Sequence, residues 1–227
     1  MCGRFTRSSP PRAIAEELGV DVDPMLAEGP RFNVCPSESV LVVARGKDDA
    51  PRAGWMKWGL VPWFAEDAKS GPRAINARAE TLATNRTFRE PFQRRRCLVV
   101  ADGFYEWRRI GTERLPMYFR LRSRRPFVFA GVWDRWKPKE GDPLVSCAIV
   151  TCRANGLVAP IHDRMPVIVP PTAREGWLAA DADARALATI LRPYAEDEME
   201  AYPVSRLVNT PKNDGPECIQ PAEPPAD

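Results

Sequence analysis

The sequence predicts a single α+β domain with a β-rich, barrel-like core and peripheral helices. Short runs of β-branched and aromatic residues, each bounded by glycine, proline or charged residues, are typical of strands. These runs follow one another without the regular intervening helices of a parallel α/β sheet. The chain has 227 residues, 44% hydrophobic and 28% charged, which is the composition of a soluble globular protein. This length allows one substantial core or two small domains.

The apolar runs and turn residues give the predicted elements. Strands are predicted at Val40–Ala44, Cys97–Ala101, Met117–Leu121, Phe127–Trp133, Leu144–Thr151 and Pro166–Val169. A proline pair before Arg12–Leu18 and a glycine after it predict the first helix. Further helical patterns lie at Ala77–Ala83, Thr87–Gln93, Thr172–Ala179 and Ala182–Leu191. One domain is expected over residues 1–220, followed by a disordered tail at 221–227.

Charge is spread unevenly along the chain. The formal net charge is +3, with a strong arginine bias. Arg108–Arg125 holds seven arginines and one acid, whereas Thr172–Ala201 holds seven acids and three arginines. This asymmetry indicates a basic face for a polyanion and a solvated acidic face elsewhere. The alternative is that the arginine run is ordinary solvated surface.

Cysteine usage bears on cofactors and location. The six cysteines show no CxxC spacing and the chain has one histidine, so neither a metal site nor a cofactor is predicted. Cys97, Cys147 and Cys152 lie in apolar runs and are interpreted as core residues. We find no signal peptide and no apolar stretch approaching about 18 residues. These observations predict a cytoplasmic protein with reduced thiols and no membrane partner.

Cys2 is the first candidate for chemistry. A methionine that precedes so small a residue at the start of a protein is normally removed, which would leave an α-amine and a thiol on one carbon. Such an amine has a pKa of about 7.7–8.0 and can attack an aldehyde to form a Schiff base. The thiol can then close a five-membered thiazolidine ring. The alternative is that Cys2 is an ordinary residue near a frayed terminus.

Two acid–base groups are further candidates. Glu106 follows a glycine turn behind a buried strand, and its aromatic neighbours would desolvate it. Desolvation raises a carboxyl pKa, which favours a general acid, although a solvent-facing glutamate on an alternating strand fits this segment equally well. His162 is the only histidine and lies in a polar stretch between apolar runs. A proton shuttle is favoured there over a structural histidine.

The region between residues 58 and 96 combines aromatic and basic side chains. The segment Trp58–Phe64 is core by default or a stacking platform for bases. Asn76 suits a helix N-cap. Arginines that are candidate phosphate contacts follow at positions 78, 86, 89 and 94–96.

Seven blocks, in order, make the chain resemble one family. They are MCGRF, RFNVCP, WGLVPWF, INARAET with the following TFREPF, RRCLVVADGFYEW, FAGVWD and IHDRMPVIV. VNTPKNDGPE is similar to the family's C-terminal end. The sequence thus resembles the SRAP family, the SOS response-associated peptidases or abasic-site processing proteins. The resemblance implies a mixed domain with a β-rich core and a positively charged groove for single-stranded DNA.

The resemblance also implies a reaction. In the family, the mature N-terminal cysteine forms a thiazolidine crosslink with the ring-opened sugar of an abasic site and so shields the lesion. Cys2 would be this nucleophile, and removal of Met1, which could be autocatalytic, fits the peptidase label. Asn76 would hold the N-terminal region and the lesion. Glu106 would be the general acid/base, and His162 would assist proton transfer.

Further residues are implied to contact the DNA. Phosphate contacts would come from Arg4, Arg78, Arg86 and Arg164. Three tryptophans would pack or stack near the lesion, namely Trp58, Trp63 and Trp107. The expected partner is single-stranded DNA that contains abasic sites, bound by a monomer that associates with the bacterial nucleoid.

Two other functions remain open from the residues alone. One is a cysteine peptidase with Cys2 as thiolate and His162 as base. The other is a passive module that binds DNA or a modified base without a covalent product. A requirement for a free α-amine separates the crosslinking reaction from thiol-only catalysis.

Overall fold

The computed structural model describes residues 2–22, 29–46, 48–68 and 74–222, which form twelve strands and four α-helices. The strands are β1 (Phe5–Arg7), β2 (Arg31–Val34), β3 (Ser39–Arg45), β4 (Pro51–Trp58), β5 (Asn76–Arg78), β6 (Arg96–Ala101), β7 (Gly103–Ile110), β8 (Glu113–Leu121), β9 (Phe127–Trp136), β10 (Leu144–Arg153), β11 (Arg164–Pro166) and β12 (Met199–Pro203). The helices are α1 (Pro11–Leu18), α2 (Arg89–Arg94), α3 (Arg174–Leu178) and α4 (Ala184–Ile190). Short 3₁₀ turns lie at Ala79–Thr81, Pro171–Ala173, Glu196–Glu198, Arg206–Asn209 and Pro216–Ile219.

Five strands close into a barrel at the centre of the fold. The circuit runs β10–β4–β3–β6–β9 and returns to β10 through the β9–β10 pairing. All of these pairings are antiparallel except β4–β10, which is parallel. Strand β6 is buried along its whole length, and the Trp177 indole of α3 donates to the Cys97 carbonyl at 2.9 Å. The predicted α+β class with a β-rich, barrel-like core is therefore confirmed.

A second sheet, in the order β12–β8–β7–β1–β2, packs beside the barrel. Its strand β1 begins three residues after Cys2 and lies between β7 and β2. The first residue of β7 is Gly103, and only glycine fits there. Tyr118 on β8 occupies the adjacent space, so a Cβ at position 103 would collide with the Tyr118 hydroxyl. The N-terminal segment is thereby fixed in the middle of a sheet.

Two short strands flank β10 and bring distant segments to its end. β5 runs parallel to β10, with Asn76 opposite Ile149. β11 runs antiparallel to it, with Arg164 opposite Arg153. As a consequence, the end of β10 carries residues from both of these segments.

Most predicted elements are confirmed, with boundaries shifted by a few residues. The first helix ends at Gly19, whose φ of 65° is the left-handed conformation that glycine adopts readily. The predicted strand at Pro166–Val169 instead starts at Arg164 and ends as a regular strand at Pro166. Beyond it, the chain continues in bridges, such as Ile168 with Phe129.

The predicted helix at Ala77–Ala83 is wrong. The segment forms β5 and a 3₁₀ turn because residues 76–78 pair with β10 and bury Ala77 completely. Tertiary pairing therefore overrides the local helical pattern. Asn76 accordingly lies in a strand, and its predicted role as a helix N-cap is also wrong.

The ends and the thiols complete the fold. Pro221 forms a bridge with Val204, and the rest of the predicted tail, from residue 223, lies outside the described residues. All six cysteines are buried and free, which confirms the interpretation of Cys97, Cys147 and Cys152 as core residues. Within the described ranges, none of the helices is long and apolar enough to cross a membrane.

Candidate active site

The register of β1 against β7 brings the N-terminus to Glu106. Phe5 lies opposite Phe104, and the Tyr105 amide donates to the Arg4 carbonyl at 3.0 Å. Because the strands are antiparallel, each step toward the N-terminus moves one residue further along β7. Continued in this way, the register places Gly3 opposite Glu106, so the adjacent Cys2 lies close enough for the Glu106 charge to act on its thiol. The topology itself pairs the candidate nucleophile with the candidate acid.

Cys2 is held as a neutral thiol. Its side chain is fully buried, and its Sγ lies 3.9 Å from the Arg4 carbonyl oxygen. Burial is the largest cause that raises the pKa of the thiol, and the negative charge of Glu106 raises it further. A thiol in this environment does not readily ionise to the thiolate, since thiolate nucleophiles require an electropositive environment.

Asn76 ties β5 to the N-terminal segment. Its Nδ2 donates to the Cys2 carbonyl at 2.8 Å. Its Oδ1 is buried and has no hydrogen-bond partner in the part of the chain that the structure describes. Asn76 thus positions Cys2 with one atom and keeps an acceptor at the site with the other.

Glu106 is a buried carboxyl group that lines a cleft. Its side chain belongs to β7 and is only 3% exposed. Burial is the largest cause that raises its pKa, and His162 opposes this with a smaller electrostatic effect. The raised pKa lets this carboxyl group retain a proton at pH values where an ordinary glutamate is ionised.

His162 has a partner in each protonation state. Its Nδ1 accepts the Arg164 amide at 2.9 Å, which suits the neutral ring with a proton on Nε2. The Asp163 carboxylate lies 3.0 Å from the same Nδ1 and would stabilise the protonated ring. The imidazole is partly exposed and therefore accessible to a substrate. Such a ring can donate a proton to a substrate or accept one from it.

Glu106 and His162 face one cavity of about 370 Å³. Its lining consists of Glu106, Trp107, Arg109, Arg114, Ile161 and His162. The cavity combines a carboxyl group, an imidazole, an aromatic ring and two guanidinium groups. Larger cavities of about 540 to 550 Å³ lie elsewhere, but the titratable pair is found at this one. We therefore place the candidate active site here.

The four arginines predicted to bind phosphate divide into two pairs. Arg78 and Arg86 are exposed. Arg4 instead donates to Asn33 Oδ1 and to the Val208 carbonyl, both at 2.7 Å.

Arg164 is likewise held by its own chain. Its guanidinium makes a two-pronged pair with Glu80 at 3.1 and 2.9 Å and donates to the Thr151 carbonyl at 2.6 Å. Arg4 and Arg164 therefore stabilise the walls of the site, and a phosphate contact by either remains a prediction.

The three predicted tryptophans also differ. Trp58 is fully buried, donates to the Ile75 carbonyl at 2.8 Å and packs edge-on against Phe5, so it is a core residue that cannot stack on a base. Trp63 is 58% exposed. Trp107 lines the cavity and donates to Asn209 Oδ1 at 2.7 Å.

An aromatic and basic cluster surrounds Trp63. The ring of Phe64 contacts Trp63 edge-on at 5.7 Å, and the Arg86 guanidinium lies 4.4 Å from the centre of the Phe64 ring. This exposed cluster can offer both stacking and charge to a nucleic acid.

The C-terminal segment is hydrogen-bonded to the N-terminal strands, a contact that the sequence patterns do not predict. Asn33 Nδ2 donates to the carbonyls of Val208, Thr210 and Asn213 at 3.2, 3.2 and 2.6 Å. Asp214 accepts the amides of Phe32 and Asn33 at 2.6 and 2.7 Å. The signal was the polar residues in the RFNVCP and VNTPKNDGPE blocks, which become informative only when the two segments are brought together.

The described residues form no cluster of metal ligands. Over those ranges, no group of three or more His, Cys, Asp or Glu side chains could hold a metal ion.

The chain is similar to known proteins along most of its length. The family "SOS response associated peptidase (SRAP)" matches residues 1–211. Abasic site processing protein YoqW of Bacillus subtilis is 44% identical over 225 residues, covering 97% of this chain and 99% of that protein. Abasic site processing protein YedK of Escherichia coli is 31% identical and covers 97% of this chain and 100% of its own.

A solved structure shares the fold along the whole length. A crystal structure of a protein from Bacteroides thetaiotaomicron superposes with a TM-score of 0.87 at 25% sequence identity, covering 98% of this chain and 100% of its own. Together with the match over residues 1–211, these similarities show that the chain belongs to the SRAP family.

Proposed function

We propose that this protein handles abasic sites in single-stranded DNA by forming a thiazolidine crosslink between Cys2 and the lesion. The observation that carries the proposal is that Cys2 is hydrogen-bonded by Asn76 and lies within the electrostatic reach of Glu106, which lines a cleft together with His162. The relatives named as abasic site processing proteins support the same class of substrate.

The reaction begins at the α-amine that removal of Met1 would expose on Cys2. The amine nitrogen attacks C1 of the ring-opened deoxyribose and forms a carbinolamine. Loss of one water gives an imine, and Sγ then adds to the imine carbon while the thiol proton passes to the nitrogen. The product contains one water less than the two reactants. No oxidant, metal or further reactant is required.

Glu106 and His162 supply the protons. A protonated Glu106, favoured by its raised pKa, can protonate the departing hydroxyl of the carbinolamine. His162 can relay a proton in either direction, because both of its charge states have a partner. The same two groups would open the sugar ring and reverse the crosslink.

The neutral Cys2 thiol favours this order of steps over a cysteine peptidase. A peptidase nucleophile attacks as a thiolate, and here burial raises the thiol pKa, which Glu106 raises further whenever it is ionised. An amine-first reaction has no such requirement, because the thiol adds to an imine that is already formed. Removal of Met1, if autocatalytic, would be a single event in cis.

Binding of the DNA strand would use the exposed basic and aromatic groups. Arg78 lies two residues after Asn76 on β5 and therefore faces the same side of that strand. The cluster of Trp63, Phe64 and Arg86 adds stacking and charge. An unpaired, unstacked sugar reaches such a cleft more readily from a single strand than from a duplex.

The proposal is tested by removing the thiol and the amine separately. Cys2→Ala should abolish the heat-stable adduct with an abasic oligonucleotide but retain most non-covalent binding. Acetylation of the α-amine should also abolish the adduct. A thiol-only mechanism would instead survive acetylation, and an undiminished adduct in Cys2→Ala would refute the proposal. Cys218→Ala, a buried cysteine in the small core of the second sheet, is the matched control.

A further inference from the structure

The β7–β8 hairpin carries an arrangement that folding alone does not explain. Arg109 on β7 lies directly opposite Arg114 on β8, and both line the cavity with Glu106 and His162. Like charges directly across an antiparallel pair destabilise a sheet. The hairpin thus keeps an unfavourable pair at the mouth of the candidate active site.

Neither arginine is neutralised by an acidic residue in the part of the chain that the structure describes. In the described ranges, Arg109 and Arg114 take part in no ion pair, whereas Arg164 is paired with Glu80. The acid nearest the hairpin turn, Glu113, pairs with Arg206 at 2.6 Å. Two exposed guanidinium groups therefore face the cleft, and no described residue forms an ion pair with either of them.

The hairpin also holds these two side chains on a regularly paired backbone. Its strands pair continuously from Phe104–Phe119 to Ile110–Glu113, and Gly111 makes the tight turn with a φ of 57°. Guanidinium groups on such a frame suit the two-pronged recognition of phosphate oxygens.

We propose that Arg109 and Arg114 form a phosphate-binding site for a DNA phosphodiester that flanks the abasic sugar. This inference rests on the proposed function, since it places the flanking phosphate beside the sugar that reaches Glu106. The anion would relieve the repulsion between the two guanidinium groups. The site would fix the lesion in register with Cys2, while Arg78 and Arg86 hold the strand elsewhere.

The test measures binding without the covalent step. The probe is a single-stranded oligonucleotide with one tetrahydrofuran abasic analogue, which lacks the aldehyde. R109Q/R114Q should bind it at least tenfold more weakly at low salt. The slope of log affinity against log salt should fall by about 0.7 for each phosphate that the variant no longer neutralises. R108Q is the matched control, because Arg108 is exposed on the same strand but does not line the cavity.

A second measurement locates the phosphate. Methylphosphonates, which remove one charge each, replace the phosphates around the lesion in turn. One flanking position should weaken binding to the wild-type protein and to R108Q, but not to R109Q/R114Q. The thermal midpoint of the free double variant should equal or exceed that of the wild type, since a repulsive pair has been removed.

The outcomes separate this inference from the proposed function. If R109Q/R114Q and R108Q lose affinity equally, or if no methylphosphonate effect depends on the pair, the phosphate site is refuted even when the crosslink forms. A methylphosphonate effect that depends on the two arginines supports the phosphate site. If that effect is found but the protein makes no covalent adduct with a true abasic site, the phosphate site stands and the crosslinking chemistry is refuted.

Discussion

Asp102 and Glu106 are two buried carboxyl groups only four residues apart, but their surroundings differ. Asp102 accepts five hydrogen bonds, from the Thr6 hydroxyl and from the amides and hydroxyls of Ser8 and Ser9. Glu106 instead lines a cavity, and burial raises its pKa. Both are less than 10% exposed, so burial does not distinguish them.

The difference shows what each carboxylate is for. A carboxylate that accepts hydrogen bonds from several donors holds the chain in place, here at the turn between β1 and α1. A carboxyl group desolvated beside a cavity is destabilised in its charged form and is available for proton transfer. The two positions can therefore be separated by experiment into one that controls stability and one that controls rate.

The largest effect is expected at Asp102. Asp102→Ala leaves five donors beside an emptied site, so the free energy of unfolding should fall by about 3 kcal/mol or more. Urea unfolding followed by tryptophan fluorescence measures this change. The rate of crosslinking by the folded protein should change little. A variant as stable as the wild type would show that the donors are satisfied elsewhere.

Glu106→Gln should give the reverse pattern. We expect the crosslinking rate to fall by about 100-fold, since positioned acid–base groups contribute about 10²–10⁴-fold. Stability should be unchanged or slightly greater, because a costly buried charge is gone. Single-turnover formation of the adduct on denaturing gels measures the rate. Glu113→Gln on the same hairpin is the control, and equal rates in both variants would remove Glu106 from the mechanism.

Asn76→Ala should have a smaller effect on rate. It deletes the hydrogen bond to the Cys2 carbonyl, and a bond worth about 1 kcal/mol corresponds to a rate loss of roughly five- to tenfold. Asn85→Ala is the control, because the Asn85 side chain bonds within its own turn. A loss that appears equally in both variants would argue against positioning by Asn76.

The smallest expected effect is on the pH dependence of stability. The raised pKa of Glu106 means that the folded chain keeps this proton at pH values where the unfolded chain has lost it. The contribution of Glu106 to the free energy of unfolding is therefore greatest below the ordinary glutamate pKa of about 4.3, and it falls as the pH rises toward the raised value. Unfolding free energies of wild type minus Glu106→Gln should show this decline. A flat or rising difference would contradict the raised pKa.

Local patterns predicted four of the five barrel strands, but not β4 and not the residues that join distant segments. Val40–Ala44 and Cys97–Ala101 are apolar runs whose burial needs no knowledge of their partners, and both are barrel strands. The local pattern around Asn76 predicts a helix cap, whereas the residue lies in a strand of three residues that is held by its pairing with β10.

The site was predictable to a similar extent. The chemistry of their side chains predicts Cys2, Glu106 and His162, and the structure places Glu106 and His162 at one cavity with Cys2 within the electrostatic reach of Glu106. In the sequence, Arg109 and Arg114 are two members of a basic run. Only the register of the hairpin shows that they lie opposite each other at the cavity. Arg164 is paired with Glu80, whereas Arg114 has no ion pair among the described residues, and this contrast exists only in three dimensions.

The most direct test uses protein whose N-terminal residue is verified as Cys2 by mass spectrometry. It is incubated with a single-stranded oligonucleotide that carries one true abasic site, heated and run on a denaturing gel. We expect a heat-stable shifted band whose intact mass is that of protein plus DNA less one water. The absence of such a band, with the Cys2 amine free, would contradict the thiazolidine mechanism.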